Sequence, residues 1–199
     1  MEREKTTTFA KYFFIKNSGM TTNRVQILDK TFELSLSEEE IAVAVKRVAA
    51  QINEELKDEN PLFIGVLNGA FMFMADLMKQ VSIPSKVTFV KLASYEGMAS
   101  TGKIKEIMGL SEDIKDRTVV IVEDIVDTGF TMQRMLEMLG TRNPKKICIA
   151  SLFIKPEKLQ VPLTVDYVAF SIPNDFIVGY GLDYDGYGRN LSAVYTLAE

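Results

Sequence analysis

A chain of 199 residues, 47% hydrophobic and 25% charged, is long enough to bury one substantial core and carries no long stretch of disorder-promoting composition. Its net charge of −4 at pH 7 and isoelectric point near 5.1 supply no global positive field for a nucleic-acid backbone or an anionic membrane, so an anionic ligand must be held locally. A single cysteine, Cys148, excludes an internal disulfide and suits a reducing cytosol.

In chain order, residues 1–20 come first as an N-terminal extension expected to be poorly ordered, with Met20 as an alternative start. Lys11 and Lys16 interrupt Phe9-Ala10-Lys11-Tyr12-Phe13-Phe14-Ile15, leaving too short an apolar stretch for export or spanning, so a cytoplasmic protein is expected. Residues 21–199 read as one domain. Ser37-Glu38-Glu39-Glu40 is a capping-box pattern opening a helix whose apolar positions Ile41, Val45, Val48 and Ile52 share one face. Leu62 to Leu67 is a buried-strand run, Asn68-Gly69-Ala70 a turn, and Phe71 to Lys79 helical. The same order recurs. Thr118 to Val122 is a β-branched strand, and after a loop Met132, Met135, Leu136 and Leu139 mark a helix stripe ending at Gly140.

Lys146 to Phe153 and Val165 to Ser171 give two further buried strands, the first holding Cys148 as a core residue. Continuous apolar strands alternating with helices predict an α/β fold with a mainly parallel sheet covered on both faces. Such sheets bind ligands beyond the carboxyl ends of their strands, which places the chemistry after Leu67, Val122 and Phe153.

The strongest signal comes after the strand ending at Val122, in Glu123-Asp124-Ile125-Val126-Asp127-Thr128-Gly129-Phe130-Thr131. Adjacent carboxylates repel one another unless metal ions or hydroxyl donors receive them. The stretch from Asp127 to Thr131 adds the amides of a helix N-terminus and two hydroxyls, an anion cradle without lysine. Acids for sugar hydroxyls beside amides for a phosphate describe a ribose 5-phosphate site; solvated helix-capping acids are the alternative.

This segment resembles the signature of the phosphoribosyltransferase family, within it the hypoxanthine-guanine branch, and the likeness runs from about residue 60 to 192. The resemblance implies a type I phosphoribosyltransferase fold with a small hood, and purine salvage: transfer of the phosphoribosyl group from phosphoribosyl pyrophosphate to hypoxanthine and guanine, releasing pyrophosphate. It implies that Glu123 and Asp124 contact the ribose hydroxyls, that Asp127 lies near purine N7 as general base, and that Asp127, Thr128, Gly129, Phe130 and Thr131 wrap the 5-phosphate.

Leu67-Asn68-Gly69-Ala70 matches the family's pyrophosphate loop, although many relatives carry lysine where this chain has Asn68, a loss of one positive charge. Taken alone it is an ordinary strand-to-helix turn. Ser94-Tyr95-Glu96-Gly97-Met98-Ala99-Ser100-Thr101-Gly102-Lys103 is a mobile flap or a surface hairpin by composition, and the resemblance selects the flap. By the same resemblance Lys155 bonds purine O6, Phe176 stacks on the base, Ile177 offers backbone groups, and Asp183 holds Mg²⁺ with Glu123 and Asp124. Arg189 then reaches pyrophosphate. The residues alone leave other readings open: an exposed lysine, a core phenylalanine, a surface salt bridge.

Phosphoribosyl transfer passes through an oxocarbenium-like state, so electrostatics and positioning carry most of the catalysis. Mg²⁺ suits a pyrophosphate leaving group because it prefers oxygen ligands. The chain has no histidine, so acid–base work falls to a carboxylate, which favours Asp127. An RNA-binding regulator on the same fold would need a basic face, and a pyrophosphokinase would need an ATP site and a longer chain. The expected partners are small-molecule substrates and further copies of the chain, as a homodimer or homotetramer, with no nucleic acid and no membrane.

Overall fold

The computed structural model describes residues 23–94 and 104–198, of which 93–94 and 104–108 are described by their backbone alone. The expected N-terminal extension and Tyr95 of the flap lie outside the described residues, as does the side chain of Ser94.

The main sheet is built by the alternation of strand and helix. Its strands are β3 (Leu62–Leu67), β4 (Lys86–Ser94), β5 (Ile104–Met108), β6 (Thr118–Val126), β7 (Lys146–Ile154) and β8 (Tyr167–Ser171). They lie in the order β5-β4-β3-β6-β7-β8. Every pairing is parallel except β4 with β5. That antiparallel pair flanks residues 95–103, which lie outside the described residues.

Helices cover both faces, and the two-residue strand period sorts the apolar runs between two cores. Phe63, Val120, Val122, Cys148 and Ala150 pack under α1 (Glu38–Glu55) and α2 (Phe71–Gln80), while Leu62, Ile64, Val119, Ile121 and Ile149 pack under α3 (Phe130–Gly140). This is why the strand sequences show no polar alternation. Burial also pushes the Cys148 thiol above its ordinary pKa, consistent with a core role.

The hood is a separate antiparallel sheet of β1 (Arg24–Ile27), β2 (Lys30–Leu36), β9 (Ile177–Val178) and β10 (Val194–Leu197), in the order β1-β2-β10-β9. Its own core is Ile27, Phe32, Val178 and Leu191. Ile177, Tyr180, Leu182 and Val194 join the core beneath α1 and α2, which ties the hood to the main sheet. No helix among the described residues is long and apolar enough to cross a membrane.

Two expectations change. The strand expected to stop at Val122 continues to Val126, because β7 extends alongside it and pairs Glu123 with Ser151, Ile125 with Phe153 and Val126 with Ile154. The acids Glu123 and Asp124 are therefore strand residues. β7 likewise runs to Ile154, placing Lys155 directly at its end.

The capping box at α1 is complete: the Glu40 amide donates to Ser37 Oγ at 3.2 Å and the Ser37 amide to Glu40 Oε2 at 2.8 Å. The helix buries Ile41, Val45, Val48 and Ile52 as its spacing predicts. Ser37→Ala removes one of these bonds and is expected to cost about 1 kcal/mol. An unchanged urea midpoint would show that the cap contributes nothing to global stability.

Candidate active site

The parallel strands β3, β6 and β7 end side by side, and the turns leaving their carboxyl ends build the site. After β3, the Leu67–Asn68 peptide is cis, Asn68 is exposed, and Gly69 is buried at the approach to α2. Gly69 is small for a reason: a β-carbon there would overlap the Asp124 carboxylate. On its other side Gly181, at φ +102°, sits so close that a β-carbon would strike the Gly69 carbonyl oxygen. Two glycines thus allow the β3 loop to lie between the β6 acids and the segment beyond β9.

The acids on β6 are not solvated decoration. Glu123 is 8% exposed, and its Oε2 is closed from solvent without a hydrogen-bond partner. Burial, reinforced by the adjacent Asp124 carboxylate, holds its pKa well above the ordinary range. A buried carboxyl oxygen without a partner calls for a hydrogen-bonding group from outside the protein. Asp127 is the first residue past the strand, and its Oδ1 is likewise buried and unpartnered. Gly129, at φ +87°, caps α3 without any side-chain hydrogen bond, so the first amides of that helix have no side-chain partner at the cap. Phe130 is half exposed beside this turn and buries little there.

After β7, Lys155 is 7% exposed and donates from Nζ to the Asp175 carbonyl at 2.7 Å. Burial depresses its pKa, an effect that the Asp127 and Asp175 carboxylates oppose and the Lys158 charge reinforces. Lys155 is thus no ordinary surface lysine; it is a buried cation between the Asp127 loop and the Phe176 segment. Phe176 is not core: it is 45% exposed, with Phe32 on one side at 6.2 Å between centroids and Tyr184 edge-on at 5.9 Å. Its backbone neighbour Ile177 is buried in β9.

Arg189 forms a salt bridge to Asp183 at 2.5 Å and donates to the Gly181 carbonyl at 2.7 Å. Through the Gly181 carbonyl the bridge is joined to the Gly69 junction. Asp183 also accepts the Gly186 amide at 2.7 Å. Its carboxylate retains lone pairs beyond these two contacts.

The described residues contain no group of three or more His, Cys, Asp and Glu side chains arranged to cage a metal. The donors present are carboxylate oxygens: Asp183, two residues past Gly181, and across Gly69 from that segment Asp124 with the unpartnered Glu123. A sparse set of hard oxygens fits Mg²⁺, which binds through one or two carboxylates together with substrate phosphates and water.

Sequence reasoning missed two participants. Lys158 pairs with Asp127 Oδ2 at 3.0 Å, yet in Pro156-Glu157-Lys158 it reads as a solvated charge. Tyr180 donates to Asp76 Oδ2 at 2.7 Å and locks the segment before Gly181 to α2; nothing in the spacing of those two residues announces the contact.

The phosphoribosyl transferase domain family matches residues 35–185. The chain is similar to the hypoxanthine phosphoribosyltransferase of Salmonella typhimurium, with 42% identity over 82% of this chain and 94% of that one. It is also similar to the hypoxanthine-guanine phosphoribosyltransferase of Streptococcus mutans, with 42% identity over 82% of this chain and 91% of the relative. A crystal structure of a hypoxanthine phosphoribosyltransferase from Staphylococcus aureus superposes with a TM-score of 0.80 at 35% identity, covering 83% and 91% of the two chains.

Because Gly181 combines positive φ with direct backbone contact, Gly181→Ala is expected to destabilise the fold by about 2 kcal/mol or more. A wild-type denaturation midpoint in that variant would mean that the Gly69–Gly181 approach is not maintained in solution.

Proposed function

This chain belongs to the phosphoribosyl transferase family, and on that premise we propose that it transfers the phosphoribosyl group of phosphoribosyl pyrophosphate to hypoxanthine and guanine in purine salvage. The observation that carries this reading is the junction at Gly69, where the Asp124 carboxylate of β6 and the Gly181 segment, whose carbonyl Arg189 bonds, both lie against the loop after β3. Relatives 42% identical over most of their length, named for this activity, support it.

Each residue takes a task in this reading. Glu123 and Asp124 receive the ribose hydroxyls; the unpartnered Glu123 oxygen is left for such a hydroxyl to complete. The amides from Thr128 to Thr131 hold the 5-phosphate at the positive end of α3. Leu67, Asn68 and Gly69 line the pyrophosphate side, where Arg189 shifts from the Gly181 carbonyl to the departing charge. Asn68 carries no charge, so amides and cations elsewhere bear more of that load.

Phe176 offers its exposed ring to the purine, and the backbone of Ile177 borders the base edge. Asp183, with Glu123 and Asp124, would hold Mg²⁺, which when bound would supply positive charge to the pyrophosphate leaving group. Asp127 accepts the N7 proton of the base as its N9 attacks C1′. A homodimer or homotetramer is the assembly that the family resemblance implies. The net charge of −4 disfavours an RNA-binding role.

Rates with phosphoribosyl pyrophosphate and a panel of bases test the activity: nucleotide formation from hypoxanthine is expected, and silence with every base would reopen the assignment. Asp127→Asn should lower kcat by about 10²-fold or more with little change in phosphoribosyl pyrophosphate affinity. A wild-type kcat in that variant would dismiss Asp127 as the base.

Lys155 has donors only, so it pairs with the O6 acceptor of an oxopurine and opposes the 6-amino group of adenine. A mismatch of buried donors can discriminate by about 10⁴-fold. Adenine should therefore fail as substrate, and Lys155→Ala should depress kcat/KM for hypoxanthine far more than any residual adenine rate. Comparable use of adenine by the unaltered enzyme would show that Lys155 does not read position 6.

A further inference from the structure

We infer that Lys158 is a positioning residue for Asp127: it holds Oδ2 of that carboxylate and leaves Oδ1 as the oxygen that accepts from the purine, an inference that rests on the reading of Asp127 as base. Lys158 Nζ lies 3.0 Å from Asp127 Oδ2, while Oδ1 has no donor from the protein and no solvent. A carboxylate with one oxygen taken and the other closed from water without a partner is costly unless a ligand completes it.

The backbone delivers Lys158 to this position. The Lys155 amide donates to the Val126 carbonyl at 3.0 Å and the Gln160 amide to the Thr128 carbonyl at 3.0 Å, so the segment carrying Lys158 is tied down on both sides of Asp127. Between these ties, Pro156 opens a 3-10 turn and the Lys158 amide donates to the Lys155 carbonyl at 3.0 Å. Lys158 therefore faces Asp127 from a braced turn rather than from a loose loop.

An exposed ion pair does little for stability. Here the two side chains are 33% and 40% exposed, so the pair is better suited to orientation than to holding the fold. The other charges nearby already have tasks: Lys155 is bonded to the Asp175 carbonyl, and it feels both Asp127 and Asp175. Lys158 is the lysine seen bonded to the Asp127 carboxylate. The two lysines divide the work, one reaching the base and the other fixing the rotation of the carboxylate that meets it.

The test is a double-mutant cycle on the full-length enzyme, using initial rates with phosphoribosyl pyrophosphate and hypoxanthine together with thermal melts. Lys158→Met should lower kcat about 10-fold, the scale expected for a misaimed catalytic group, with little change in KM for phosphoribosyl pyrophosphate and an unaltered melt. Lys158→Arg should recover most of the loss, because it restores a donor to Oδ2. In an Asp127→Asn background, where the carboxylate is gone, Lys158→Met should have no further effect.

Equal losses in both backgrounds would overturn the inference, as would an arginine no better than methionine or a methionine variant with wild-type kcat. Wild-type activity in Asp127→Asn alone would instead bring down the reading of Asp127 as base, and the positioning role with it.

Discussion

The Gly69 backbone is the piece on which the site depends, because it lies between the Asp124 carboxylate and the Gly181 segment, where any side chain would hold the two apart. With the Asp124 carboxylate against one side and Gly181 against its carbonyl, it brings the end of β3, the end of β6 and the segment after β9 within one contact of each other. A β-carbon at Gly69 would displace the Asp124 carboxylate, and one at Gly181 would displace the Gly69 carbonyl. Tyr180, bonded to Asp76 on α2, braces the same junction from behind.

Around that junction the charges are spent locally. Net charge across the molecule is negative, yet the Asp127 side of the site gathers Lys155 and Lys158, and the Gly181 side gathers Arg189. Each cation is engaged with an oxygen of the protein itself: a carbonyl for Lys155, a carboxylate for Lys158, both kinds for Arg189. These contacts spare the cations an uncompensated burial and keep them oriented. A ligand with suitable acceptors exchanges one set of hydrogen bonds for another, so binding need not begin by desolvating free charges. Glu123 and Asp127 show the complementary condition, each with an oxygen that the protein leaves unsatisfied.

The sequence determined more of this protein than its sparse polar motifs suggest. Hydrophobic period and capping chemistry are local, which is why α1 begins at its Ser37 and Glu40 box, β3 spans Leu62 to Leu67, and the strands read as buried on both faces. The acidic run and its glycine turn were legible because adjacent carboxylates following an apolar strand run repel each other without a recipient.

Tertiary structure decided what depends on neighbours. Pairing with β7 carried β6 on through Glu123 to Val126, and pairing of β2, β9 and β10 made a hood from short segments with little local signal. Only the packed chain could show that Phe176 stays 45% exposed beside Phe32 and Tyr184, that Arg189 leans on Asp183, and that Lys158 meets Asp127 across 31 residues. The physical reason is the same in each case: secondary structure is set by contacts a few residues apart, whereas these partners come from different turns of the chain and meet only once the sheet, the hood and the glycine junction are in place.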